Sequence, residues 1–158
     1  MKHIAIIAAL FLSILSASAQ NGKSIYQKYS GQEGVSAVYI SPAMFRLIGK
    51  LPDIDTDVNL TPVIQALSGL YIIESENKEI NDRLLSEAEK FVAGGRYEML
   101  MEAKSEGSTV SMYTLGSDDV VESFVMISLS DGEVAFICLD GKMGREDLEG
   151  VLSSMSRE

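Results

Sequence analysis

The start of the 158-residue chain has three parts: a basic end, an apolar run and a stretch of small residues. Lys2 precedes a run over residues 4–15 that is almost wholly apolar, and Ala17 and Ala19 follow it. These parts are typical of a secretory signal peptide. The run is shorter than the roughly 20 apolar residues that a membrane-spanning helix needs. We therefore predict that residues 1–19 are a signal peptide, cleaved to leave Gln20 at the mature N-terminus.

The predicted cleavage site also bears on anchoring and location. A bacterial lipoprotein signal would place a cysteine just after the small residues, but this chain has Gln20 there. We expect a mature protein without a membrane anchor, either periplasmic or secreted.

Residues 20–34 are polar and punctuated by glycine, with Ile25, Tyr26 and Tyr29 at helix-like spacing. This pattern indicates a short helix or a loosely held N-terminal arm. Residues 35–158 are predicted to form a single α+β domain.

The first half of that domain alternates strands and helices. Residues 35–40 and 70–73 have the composition of strands, and Ser41-Pro42 and Thr61-Pro62 each predict the start of a short helix, since proline suits the first helical position. The helix after Pro42 carries Met44, Leu47 and Ile48 on one face. A longer helix is predicted over residues 77–93. Its apolar stripe at helical spacing consists of Ile80, Leu84, Ala88, Phe91 and Val92.

The second half reads as a four-strand meander followed by a helix. Residues 97–104 alternate in the period of a half-buried strand, and strands over 109–115, 120–129 and 133–139 follow. Asp131-Gly132 favours the positive φ angles of a tight hairpin. The last two strands are apolar on both faces and are predicted to be central, and residues 145–155 are predicted to form a closing helix.

This order of elements predicts a two-layer α+β sandwich, a mostly antiparallel sheet with helices on one face. The alternative is a ferredoxin-like core with an added hairpin.

Charge and composition exclude several classes of function. The chain has 23 acidic and 13 basic residues, so a basic face for nucleic acid is not expected. Its one histidine, His3, lies in the predicted signal peptide. A mature chain without histidine has no Ser-His-Asp triad, Cys-His pair or histidine-ligated zinc.

The chain has one cysteine, Cys138, so it forms no intramolecular disulfide. Cys138 lies within an apolar strand, where a thiol behaves as a small hydrophobic group. An intermolecular bridge or a reactive thiol is the alternative.

The alternating carboxylates Asp53, Asp55 and Asp57 are the candidate metal ligands, because oxygen ligands from one loop suit calcium. The EF-hand pattern fails, however, with Val58 and Ile64 at the positions that need glycine and glutamate. A polar loop between two short helices is the competing interpretation. We predict no other cofactor.

Two further patterns are weaker. Residues 140–145 are rich in glycine and precede a predicted helix, where an anion could rest, but a tight strand-to-helix connection explains them better. Paired carboxylates could support hydrolysis without histidine, yet none stands out in an aromatic-lined stretch.

Several segments carry a family resemblance: a signal peptide that ends in Ala-Gln, the long helix, Tyr97–Glu102 with Lys104, the strands over 109–113 and 120–129, and Phe136–Met143 before Asp147-Leu148. Together they resemble a domain-of-unknown-function family of exported proteins common in Bacteroidetes. The resemblance implies no activity and no catalytic residues. It does imply that some members are lipoproteins, a pattern from which this chain departs.

We therefore expect an exported, acidic, non-catalytic domain that acts by binding or self-association, with an unidentified protein partner or as a homodimer through its sheet. The alternatives are a small carboxylate-based hydrolase and a calcium-dependent binding module.

Overall fold

The computed structural model describes residues 21–48 and 61–147. Its helices are α1 (Gly22–Tyr29), α2 (Pro42–Ile48), α3 (Thr61–Ala66) and α4 (Lys78–Gly94). Its strands are β1 (Val35–Ile40), β2 (Leu67–Ser75), β3 (Glu98–Ser105), β4 (Ser108–Gly116), β5 (Val120–Ser130) and β6 (Glu133–Gly144). The predicted helix starts at Pro42 and Thr61 and the predicted strand over 35–40 are confirmed.

All neighbouring strands are antiparallel, and they form one six-stranded sheet in the order β1-β2-β6-β5-β4-β3. The last four strands are consecutive neighbours, as in a meander and unlike two interleaved βαβ units. Strands β5 and β6 occupy the middle, as predicted. The α+β class and the mostly antiparallel sheet are confirmed.

Strands β5 and β6 are joined by a two-residue hairpin turn, Asp131-Gly132. Asp131 and Gly132 have φ angles of 50° and 82°, the combination that a two-residue type I′ hairpin requires.

Helix α4 supplies the second layer. Asn77 caps it by accepting the backbone N–H of Glu79, an acidic residue in the first turn that also suits the positive end of the helix dipole. The predicted apolar stripe is buried: Leu84 and Ala88 are fully inaccessible. It packs against the alternate positions of the central strands that point to the same face, among them Val125, Phe136 and Ile73.

Residues 20–34 contain the short helix α1, which belongs to the core. Asn21 and Ser24 form a reciprocal capping box at its start, and Ile25 and Tyr29 are each about 1% exposed. Both lie in the same apolar cluster as the α4 stripe. Of the two predictions for this segment, the short helix is the one found in the structure.

Three further expectations are corrected. In α2 the side chain that is buried is Phe45, while Met44 and Leu47 are exposed. Strand β3 is exposed along its whole length, because it lies at the sheet edge. Finally, residues 140–144 continue strand β6, where Asp140, Met143 and Gly144 pair with β5 and Gly141 pairs with β2, so they do not form the predicted strand-to-helix connection. No helix among the described residues is long and apolar enough to cross a membrane.

Replacing Leu84 tests the packing of α4 on the sheet. We expect Leu84→Ala to lower the free energy of unfolding by about 3 kcal/mol, because it removes fully buried methyl groups and leaves a cavity. Leu47→Ala is the matched control, since Leu47 is 61% exposed, and its effect should stay within about 0.5 kcal/mol. Urea unfolding of the two variants measures the difference, and equal effects would contradict the described packing.

Candidate functional site

A cluster of polar side chains lies within the core, where strands β5 and β6 meet the start of β3. Ser123 on β5 is opposite Asp140 on β6. Cys138 is two residues before Asp140 and therefore points to the same face. Tyr97 reaches the cluster from the turn before β3, with its ring 5.3 Å from that of Phe91 on α4. We call these four residues, Tyr97, Ser123, Cys138 and Asp140, the polar cluster.

The hydrogen bonds of the polar cluster converge on one carboxylate oxygen. The Tyr97 hydroxyl donates to Ser123 Oγ at 3.0 Å, and Ser123 Oγ donates to Asp140 Oδ1 at 2.8 Å. Cys138 Sγ lies 3.4 Å from the same Oδ1. Two donors, Ser123 and Cys138, thus share one acceptor, and Tyr97 joins them through Ser123, which ties the start of β3 to the sheet centre.

Helix α1 closes the polar cluster at Cys138. A Cβ atom at Gly22 would lie 2.5 Å from Cys138 Sγ and 3.1 Å from the Tyr71 ring. Glycine at position 22 therefore lets the helix start sit directly on the thiol.

The electrostatics keep this thiol neutral. Burial is the largest cause that raises the pKa of Cys138, and the negative charge of Asp140 adds to it. Hydrogen bonds from Ser123 and from the Gly22 backbone act in the opposite direction and do not outweigh burial. Because the thiolate is the reactive form, Cys138 is unsuited to nucleophilic chemistry. With Ser123 only 3% exposed, the polar cluster offers no open nucleophile and acts as a structural network.

An open crevice of about 530 Å³ lies at one end of the sheet, where β1, β2, β5 and β6 come together. Three carboxylates line it, from Glu74, Glu76 and Glu133. Serine hydroxyls and small residues supply the rest of its wall. The sequence pattern does not predict this crevice, because its lining comes from four strands, and the residues beside them, that are far apart in the chain.

Candidate metal ligands were compared with the described structure. Among the described residues, no group of three or more histidine, cysteine, aspartate or glutamate side chains is placed to hold a metal ion. The predicted calcium ligands Asp53, Asp55 and Asp57 lie outside the described residues, so the calcium site stays a prediction.

The most unusual surface is the edge strand β3. All eight of its residues are exposed. Three consecutive apolar side chains, which we call the edge patch, stand out: Met99, Leu100 and Met101 are 53%, 56% and 45% exposed. A β-bulge between Met99 and Met101 places Met99 opposite Tyr113 and Met101 opposite Met112, so the edge patch presents apolar atoms on both faces of the sheet.

A shallow groove of about 160 Å³ borders this edge on the helix-covered face. Its apolar lining includes Leu85 on α4 and Ile127 on β5, and its charged lining includes Glu89, Glu102 and Lys104. The groove exists because α4 covers the centre of the sheet and leaves the β3–β4 side open.

A second exposed apolar group lies at the opposite edge, on β1 and α2. It consists of Val38, Tyr39, Met44 and Leu47. The Tyr39 ring stacks on that of Tyr71 with centroids 5.1 Å apart, so part of this group already packs within the chain. Of the two edges, β3 is the one on which every side chain is exposed.

The reactivity of Cys138 tests its environment. We expect no modification of native protein by a thiol reagent at pH 8, because the thiol is buried and protonated, and complete modification in denaturant. Ser105→Cys in a Cys138→Ser background supplies the control, since position 105 is exposed and should react at once. Rapid reaction of native Cys138 would show that α1 does not cover it.

Three tyrosines predict how stability changes in alkali. Burial raises the pKa of Tyr29, Tyr71 and Tyr97 from 10.0 to about 12. Because their phenols ionise more readily in the unfolded chain, this contribution is complete below pH 10 and is lost as the pH rises to about 12. Urea unfolding across this range should show stability falling, and Tyr97→Phe should weaken the decline. A stability unchanged up to pH 12 would contradict the burial of these rings.

Comparison with known proteins identifies the family. The profile of a domain of unknown function, DUF4252, matches residues 29–151, a span that includes strands β1–β6 and helix α4. No curated protein matches the chain. The chain therefore belongs to the DUF4252 family of domains of unknown function.

Proposed function

We propose that this protein is an exported, non-catalytic domain that associates with another polypeptide strand through the free edge of β3. The observation that carries the proposal is an edge strand exposed at every residue that nevertheless bears three consecutive large apolar side chains. An edge strand presents unpaired backbone N–H and C=O groups, which are a template for an added strand.

The protection that natural edge strands usually carry is limited here. Lysine and bulges are common devices against edge pairing. Strand β3 has a bulge and one lysine, Lys104, whose ammonium lies 2.8 Å from the Glu102 carboxylate. The charge on the edge is thus partly offset within the chain. Apolar atoms of the edge patch that an added strand covers lose solvent contact, which favours association.

The non-catalytic part of the proposal is supported by the polar cluster. Its serine and cysteine are covered, and the pKa of the thiol is raised by burial. After the proposed removal of residues 1–19, no histidine would remain to activate a nucleophile.

A carboxylate-based hydrolase is the second candidate, and the crevice is the observation that favours it. Glu74, Glu76 and Glu133 line one cavity, so acid and base carboxylates could share a site. None of its described lining residues is aromatic, so none of them offers a ring on which a sugar could stack. We rank it below association for this reason. Calcium-dependent binding through Asp53, Asp55 and Asp57 stays a third candidate, and a melting temperature that rises with calcium would support it.

Site-specific crosslinking in the native host tests strand addition at β3. A photoreactive amino acid at position 100 should form adducts, because Leu100 lies in the middle of the edge patch. The same amino acid at position 47 is the matched control, since Leu47 is a leucine of similar exposure on α2.

Adducts at position 100 and not at position 47 are the expected result. An adduct of twice the mass of the chain identifies a second copy, and one of another mass identifies a different polypeptide. Equal labelling at the two positions, or none at position 100, would refute the proposed role of β3.

A further inference from the structure

The pairing geometry of β3 points to a particular occupant. We propose that the strand added to β3 is the β3 strand of a second copy, in an antiparallel register centred on Ala103. This inference rests on the proposed function, because it requires the β3 edge to accept a strand, and it names the partner and the register.

The first step is to establish which face each β3 side chain occupies. Beyond the bulge the register with β4 is regular: Glu102 is opposite Ser111, and Lys104 is opposite Thr109. These β4 residues lie opposite Ile127 and Leu129, which belong to the helix-covered face. Glu102 and Lys104 therefore lie on the helix-covered face, beside the groove, and Met101, Ala103 and Ser105 lie on the other.

The second step concerns the backbone. Ser105 and Ser108 close a two-residue turn, and the closing pair of such a hairpin exchanges both backbone hydrogen bonds. Hydrogen-bonded pairs alternate along the ladder, so Ala103 also bonds to β4. The N–H and C=O groups of Glu102 and Lys104 therefore point outward, away from the sheet.

The third step is symmetry. Two identical antiparallel edge strands are related by a two-fold axis perpendicular to the sheet, so each residue lies opposite a partner residue on the same face. A centre at Glu102 places two Glu102 carboxylates opposite each other, and a centre at Lys104 does the same with two ammonium groups. Both registers are disfavoured by like charge.

A register centred on Ala103 places opposite charges across from each other. Glu102 then lies opposite the partner copy's Lys104, and Lys104 opposite the partner copy's Glu102, so four charges of alternating sign meet on one face. Glu102 and the partner copy's Lys104 also exchange backbone hydrogen bonds, through the N–H and C=O groups that point away from the sheet. The two Ala103 side chains meet at the axis as a non-hydrogen-bonded pair, where strands approach most closely and a small side chain fits.

Charge reversal provides the test, because both side chains are accessible: the Lys104 side chain is 65% exposed and that of Glu102 is 36% exposed. Neither Glu102→Lys nor Lys104→Glu should disturb the fold, which circular dichroism and the melting temperature will check. Each single variant places like charges opposite each other twice, and we expect its dimer dissociation constant to rise roughly tenfold or more. Lys23→Glu is the control, since Lys23 is exposed on α1, away from β3.

The decisive measurement is to mix the two variants. Glu102→Lys carries two cations on its edge and Lys104→Glu carries two anions, so the Ala103-centred register predicts that they form a mixed dimer. The doubly exchanged chain should dimerise like the wild type. Sedimentation of the processed wild-type chain, of each variant and of the equimolar mixture gives the dissociation constants.

Several results would overturn this inference. They are a wild-type chain that stays monomeric at millimolar concentration, single variants that dimerise as the wild type does, or a mixture that does not associate. A monomeric wild type whose position 100 still crosslinks to a different protein in cells would overturn the homodimer and leave the proposed strand addition standing.

Discussion

The burial of one helical stripe against the centre of the sheet determines most of this structure. Leu84 and Phe91 on α4 lie in the same apolar cluster as Val125 on β5 and Phe136 on β6, with the Phe91 and Phe136 rings 5.9 Å apart. Full burial of such side chains contributes about 2 kcal/mol each. Among the described residues, α4 is the long helix that covers the middle strands, and the described sheet extends beyond it on one side. The groove is open and strand β3 is exposed because α4 is narrower than the six-stranded sheet.

The same packing explains why the polar cluster is a structural feature. Ser123 and Asp140 lie opposite each other near the point where α1 begins, and Gly22 leaves no space above Cys138. Polar groups in such a place must find partners within the chain. Ser123 and Cys138 find theirs in the Asp140 carboxylate, and Tyr97 donates to Ser123. The network links the strand that carries the edge patch to the centre of the sheet. It thereby fixes where the exposed edge begins.

The proposed association through β3 is consistent with a polar cluster that is closed to other molecules. The Ser123 hydroxyl and the Cys138 thiol are covered, whereas every residue of the edge strand β3 is exposed. In the proposed Ala103-centred register, charges that are solvated in the single chain would also set the alignment of the pair. Ion pairs at such an exposed site contribute little to affinity, but opposite signs select one register among several.

The sequence by itself determined the elements whose signals are local. Proline at positions 42 and 62, the stripe from Ile80 to Val92, and Asp131-Gly132 each act through neighbouring residues, and all were predicted correctly. The tertiary structure decided what depends on distant neighbours. The alternation of β3 predicts a buried face, but only the strand order places it at an edge that α4 does not reach. Likewise, the glycines at 141 and 144 indicated a connection, yet pairing of Gly141 with β2 and of Gly144 with β5 holds these residues in a strand. The polar cluster and the crevice could not be predicted, because their residues are far apart in the chain and meet only when the sheet forms.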